Sequence, residues 1–306
     1  MGSESAVDEK TGRKFFLDYP DDLGAAEEVT FLLNLHGGGS GGPWQRRYFP
    51  AHDYVGANRL VVATPTADTG SGPGRSWVPE ADDEHLRTIV ELVLGRFGPN
   101  NIRAFWLVGH SQGGMTSNRL LLTDYFAERV DGWLSLSGGR IGPAERSPGA
   151  GRPARPGEQP RARPTEAERA RFANRPTPSA DFSFIFAVGE HEIVGLPESS
   201  PWAERYGAGP RVRLPDVVDS EPGQTYDTTL EGHSTPAWGL APRPGTAQVY
   251  VFPNAEGARL IADVVRLDKG HTEGLEPRIT EELIKMIVSA PGGKAQALIN
   301  QSSRSV

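Results

Sequence analysis

The segment that most constrains this chain is Ala104-Phe105-Trp106-Leu107-Val108 followed by Gly109-His110-Ser111-Gln112-Gly113-Gly114. The first five residues are apolar and partly aromatic, as a strand buried on both faces requires. The pattern Gly-x-Ser-x-Gly comes next, and Met115 with Leu120, Leu121 and Leu122 reads as a helix. A turn that short between strand and helix needs the serine in a strained backbone conformation. Gly109 and Gly113 provide room where a Cβ would collide with neighbouring backbone. Strand, sharp turn and helix form the context in which a serine hydroxyl is presented as a nucleophile.

The other apolar runs alternate with helical periodicity, which implies a mostly parallel sheet with helices on its faces. Strands are expected at 14–17, 29–35, 60–63, 133–136 and 182–188, and a hairpin from 248–252 and 259–267. Helices are expected around 86–94 and 279–288, and the tail from Pro291 reads as polar and frayed. The 306 residues suit one large α/β domain over 1–306. Within it, 140–178 is rich in Pro, Gly and Arg and reads as an insertion or lid, and 195–246 as a second loop-rich excursion.

Composition removes several function classes. A net charge of −7 lacks the basic footprint of a nucleic-acid binder. No apolar run reaches the ~20 residues of a membrane span. The polar stretch Met1 to Lys10 lacks a secretory pattern, so a cytoplasmic location is expected, or a secreted one if a leader has been trimmed. The absence of cysteine excludes disulfides and thiolate chemistry.

Ser111 needs a base, and histidine has the right pKa near neutrality. Of the seven histidines, His36, His52, His85 and His110 precede the nucleophile or belong to its turn. Among His191, His233 and His271, only His271 follows a strand, sits beside a glycine and precedes the last helix. The base needs a carboxylate to hold its tautomer. Glu192, just past the strand ending at Val188 and Gly189, is the choice over Glu190, Asp216 and Asp219. Asp82 and Asp83 read as N-cap and first-turn acids of a helix. His191-Glu192 has no second histidine at helical spacing, so no metal is expected, and no cofactor. The run His36-Gly37-Gly38-Gly39 directly after a buried strand lets backbone N–H groups face an anion.

With these residues placed, the sequence resembles the α/β-hydrolase superfamily, and within it the polyhydroxybutyrate depolymerase and feruloyl esterase group. The resemblance rests on Leu35-His36-Gly37-Gly38-Gly39, Trp77 with Asp82-Asp83, Gly109 to Met115, Gly189-x-x-Glu192 and Gly270-His271-Thr272. It implies a serine esterase that forms an acyl-enzyme: Ser111 attacks, His271 shuttles the proton and Glu192 orients His271. It also implies an oxyanion hole from the backbone N–H groups of Gln112, Gly38 and Gly39. His110 and Trp77 are candidates for substrate contact. The group usually carries aspartate where Glu192 stands, and often tryptophan where this chain has Glu273. The expected partner is a small-molecule or oligomeric ester, with no nucleic acid and no membrane; oligomeric state is not readable. A serine peptidase or amidase on the same three residues, and a non-catalytic binding module, are the alternatives.

Overall fold

The computed structural model describes residues 1–24, 26–68, 75–142, 145–147, 176–227 and 235–302. Strand β3 (Val29–Leu35) is buried along its whole length. Phe31, Leu33 and Leu35 join one hydrophobic cluster and Leu32 another, so the strand feeds apolar side chains to both faces of a sheet, as its period of two dictates. In β5 (Ile102–His110), Phe105 and Leu107 go to the first cluster, Trp106 and Val108 to the second.

Among the described residues, an 11-stranded sheet results. Across it run β1 (Gly2–Val7), β2 (Lys14–Tyr19), β4 (Leu60–Pro65), β3, β5, β6 (Gly132–Leu136), β7 (Ser183–Gly189), β9 (Ile261–Arg266) and β8 (Thr246–Val251). The pairs β4–β3, β3–β5, β5–β6, β6–β7 and β7–β9 are parallel. Antiparallel strands flank them: β1 and β2 at one side, β8 at the other, where Val212–Arg213 and Val217–Val218 also pair.

Helices cover both faces. α1 (Gly42–Tyr48) follows β3. α2 (Ala81–Phe97) packs Leu86, Ile89, Val90 and Val93 into the first cluster. α3 (Gln112–Leu121) follows β5. α4 (Pro277–Ser289) packs Ile279, Leu283, Ile284 and Ile287 into the second. Each fully buried side chain of this kind contributes about 1.5–3 kcal/mol relative to exposure. Because the central strands are parallel, the turns after β3, β5, β6, β7 and β9 all leave from one edge, where sites of open α/β sheets are built.

One terminal expectation needs correction. The tail is not frayed throughout: α5 (Lys294–Ser302) forms beyond Pro291. Its Lys294 donates from its backbone N–H to Asp131 Oδ1 at 3.2 Å and from Nζ to the Ala127 carbonyl at 2.9 Å, anchors a polar tail does not announce. At the other end, Gly2–Val7 pairs antiparallel with β2 as an edge strand, its residues alternating between half-buried and exposed. Of the insertion expected at 140–178, residues 143–144 and 148–175 lie outside the described residues. Glu145–Arg146 pairs antiparallel with Ile193–Gly195.

Candidate active site

The turn after β5 is built as its spacing requires. Ser111 has φ 50° and ψ −115°, a region costly to a residue with a side chain. The tightness around it explains both glycines. A Cβ on Gly109 would lie 2.4 Å from the Gly113 carbonyl carbon, and one on Gly113 would lie 2.4 Å from the Leu35 carbonyl oxygen. Ser111 stands at the N-cap of α3, yet its hydroxyl does not cap the helix.

That hydroxyl instead lies 2.8 Å from Nε2 of His271. Nδ1 of the same ring donates to Oε2 of Glu192 at 2.6 Å. The three side chains come from the turns after β5, β7 and β9, so one sheet edge gathers residues 160 and 79 positions apart in the chain. Glu192 is 5% exposed. Burial alone would raise its pKa, but His271 and the Ser137 hydroxyl bring it below the ordinary value. Both contacts favour the ionised carboxylate.

The loop of His271 is held from several sides. Its backbone N–H donates to the Ala237 carbonyl at 3.1 Å and that of Thr272 to the Trp238 carbonyl at 2.8 Å. The Arg266 guanidinium donates to the carbonyls of Glu273 and Gly274, each at 2.8 Å. Glu273 itself accepts from the N–H of Leu240 at 2.8 Å and of Gly270 at 3.2 Å, and from Arg243. The glutamate that departs from the resembled group is thus a buried brace of this loop.

The glycine run after β3 is equally constrained. His36 is fully buried; its Nδ1–H donates to the Gly37 carbonyl at 2.7 Å, while Nε2 accepts the Ala67 N–H at 2.9 Å. The Ser40 hydroxyl donates to the same Gly37 carbonyl at 2.8 Å. In a trans peptide the carbonyl and the next N–H point in opposite directions. Fixing the Gly37 carbonyl therefore turns the Gly38 N–H the other way. The Gln112 N–H belongs to the first turn of α3, where amides have no intrahelical acceptor.

Three of the sequence expectations change at this point. The Gly39 N–H donates to the Arg75 carbonyl at 2.7 Å, so in this conformation it is spoken for and leaves Gly38 and Gln112 as the available donors. Trp77 is 4% exposed and faces inward. Its indole N–H donates to the His36 carbonyl at 2.7 Å and its backbone N–H to Gln112 Oε1 at 3.2 Å, so it braces the glycine loop. His110, 3% exposed, packs between the Tyr48 ring and His271, again behind the site.

The other sequence candidates lie elsewhere. Glu190 accepts the Asp268 N–H and His191 pairs with Asp268, both at the surface. Asp216 pairs with Arg213, and Asp219 accepts the Arg278 N–H at the start of α4. His233 lies outside the described residues. Asp82 and Asp83 are first-turn acids of α2, though neither is its N-cap. Asp82 binds the Val78 N–H and Arg13, and Asp83 pairs with Arg119. Among the described residues there is no cluster of ligands suited to a metal, and no helix is long and apolar enough to cross a membrane.

Two contacts of the site escaped the sequence reading. Ser137, after β6, donates its hydroxyl to Glu192 at 2.6 Å. Trp238 stacks on the His271 ring, centroids 5.0 Å apart. For Ser137 a signal existed: Ser-Gly-Gly ends the strand beside β5. Trp238 was readable only as a tryptophan that lines a pocket or simply packs, and nothing in its loop-rich stretch pointed to His271.

A mostly parallel sheet in this strand order, with the serine at the strained turn after β5 and partners on the following strand ends, is the α/β-hydrolase fold. None of the protein-family models compared with the chain matches it, and neither does any curated protein sequence. Solved structures do resemble it. An acetyl xylan esterase from Aspergillus awamori covers 94% of this chain and 100% of its own, with 12% identity and a TM-score of 0.48. Esterase 2 of Thermogutta terrifontis covers 61% and 72% with 16% identity and a TM-score of 0.39. The S-formylglutathione hydrolase of Staphylococcus aureus covers 62% and 79% with 15% identity and a TM-score of 0.38.

Proposed function

We propose that this chain is a serine carboxylic-ester hydrolase. The observation that carries the reading is the continuous hydrogen-bonded line from Ser111 Oγ through His271 to Glu192, with spacings of 2.8 and 2.6 Å. These are the distances that direct proton transfer needs.

In this reading His271 Nε2 takes the Ser111 proton as Oγ attacks the ester carbonyl carbon. The carbonyl oxygen becomes an anion facing the N–H groups of Gln112 and Gly38; one such donor is worth about 3 kcal/mol of barrier. His271 then gives its proton to the leaving alkoxide, and the C–O bond breaks to leave an acyl-serine and a free alcohol. Water, deprotonated by the same imidazole, attacks the acyl carbon; the acid departs and Oγ regains its proton. Glu192 stays ionised throughout and stabilises the imidazolium.

Short-chain p-nitrophenyl esters should give a burst of nitrophenol, and a fluorophosphonate probe should add its phosphonyl group to Ser111. Ser111→Ala should lose both, with turnover falling at least ~10^4-fold. A folded Ser111→Ala protein that hydrolyses the esters at the parental rate would end the proposal. Matched ester and amide substrates separate it from a peptidase or amidase, since the amide demands protonation of a poorer leaving group.

A further inference from the structure

Ser137 follows β6, the strand lying between the one that presents Ser111 and the one that leads to Glu192. It is 5% exposed. Its hydroxyl donates to Glu192 Oε1 at 2.6 Å, and the Gly189 N–H donates to the same oxygen at 3.0 Å. The second oxygen, Oε2, is thereby left for His271. The terminal torsion of a glutamate is otherwise broad; two donors on one oxygen select a single orientation.

The backbone at this position adds a second observation. Ser137 has φ 53°, a conformation that glycine adopts without strain and serine does not. Its N–H is held by the Ala187 carbonyl at 2.8 Å, and the Ser111 N–H by the neighbouring Leu136 carbonyl at 2.9 Å. A serine kept where glycine would relax points to a use for its hydroxyl.

We propose that Ser137 is a positioning residue for the Glu192–His271 pair, its hydroxyl fixing the carboxylate so that Oε2 stays on the imidazole Nδ1–H. The inference deepens the hydrolase reading and rests on it. Among the described residues, few ionisable groups lie around the pair. The His110 ring packs against that of His271 at a tilt, the Arg266 guanidinium acts on His110 and Tyr48, and Tyr48 lies beside Ser137. Glu190 and His191 flank Glu192 in the chain but engage Asp268 at the surface.

The test uses Ser137→Gly, which removes the hydroxyl while relaxing the backbone, with Ser137→Ala as a second variant should the first disturb the fold. Turnover of a p-nitrophenyl ester is expected to fall about ten-fold or more with little change in KM. A carboxylate stripped of a donor attracts a proton more strongly. The acid limb of the rate profile should therefore move to higher pH, and so should the protonation of the pair followed by imidazole C–H resonances. Folded variants with parental turnover overturn the assignment. So do slow variants whose acid limb and resonances do not move, because that pattern marks a merely structural serine. The resonances are read whether or not the protein turns over. A wild-type Ser111 inert to fluorophosphonate beside a shifted titration removes the hydrolase reading and leaves the assignment standing. A reactive Ser111 with an unmoved titration does the reverse.

Discussion

The Nε2–H of His110 donates to the backbone carbonyl of His271 at 2.8 Å. The residue preceding the serine thus holds, from behind, the loop that carries the histidine facing it. Tyr48 reaches the same carbonyl at 3.3 Å, with its ring centroid 4.0 Å from that of His110. Burial keeps the His110 pKa well below the ordinary histidine value, so the ring is neutral and its tautomer is set by this one donation.

His110→Leu should fill similar space and lose that donor. Turnover of a p-nitrophenyl ester is expected to drop about ten-fold, the worth of one buried hydrogen bond. Labelling of Ser111 by fluorophosphonate should slow in parallel. Unchanged labelling kinetics would show that the loop of His271 stands without His110.

His36 makes stability depend on pH. Burial lowers its pKa from 6.5 to about 4, so the folded protein refuses a proton that the unfolded chain accepts over that interval. The unfolded state then binds more protons, and stability falls as pH falls from about 6.5 towards 4. Between pH 7 and pH 5 the loss from this residue is about 2 kcal/mol. Urea unfolding of His36→Gln should show a pH slope shallower by that amount, and an identical slope in both proteins would contradict it.

Gly113→Ala should be severe. The new methyl would meet the Leu35 and His36 carbonyl oxygens at 2.4 and 2.7 Å, backbone atoms of the central strand and its turn that cannot step aside. A destabilisation of at least ~1–3 kcal/mol is expected from the overpacking, with loss of fluorophosphonate labelling because the elbow shifts. Thermal unfolding and labelling together check it; a variant matching the parent in both would contradict the geometry.

Beneath the loop of His271, Glu276 binds Lys269 Nζ at 2.8 Å and Arg266 at 3.1 Å, all three side chains being almost fully buried. Glu276→Gln leaves two buried cations without their counter-charge, which costs about 3–5 kcal/mol. Chemical denaturation should show that loss, and a change below about 1 kcal/mol would mean the cations find water instead.

The alternation of buried strands and amphipathic helices was legible in the letters, and the mostly parallel sheet with it. β3 spans the same residues in sequence and structure. The elbow was legible too, because a strand, a glycine pair around a serine and a helix are all local features. Edges were harder. β1 is polar because only one of its faces is half covered, and α5 is held by Asp131 and Ala127, partners distant in the chain.

At the site, residue type and order along the chain singled out Ser111, Glu192 and His271, because the proposed nucleophile, acid and base each need a particular functional group in a particular succession. Side-chain direction is another matter. Tertiary packing turned Trp77 and His110 inward, engaged the Gly39 amide with Arg75, and brought Ser137 and Trp238 against the pair. The chain by itself fixes which groups are present and which local turns they can adopt. Which of two faces a side chain takes, and which carbonyl an amide meets, depends on strands that are neighbours only after the sheet has closed.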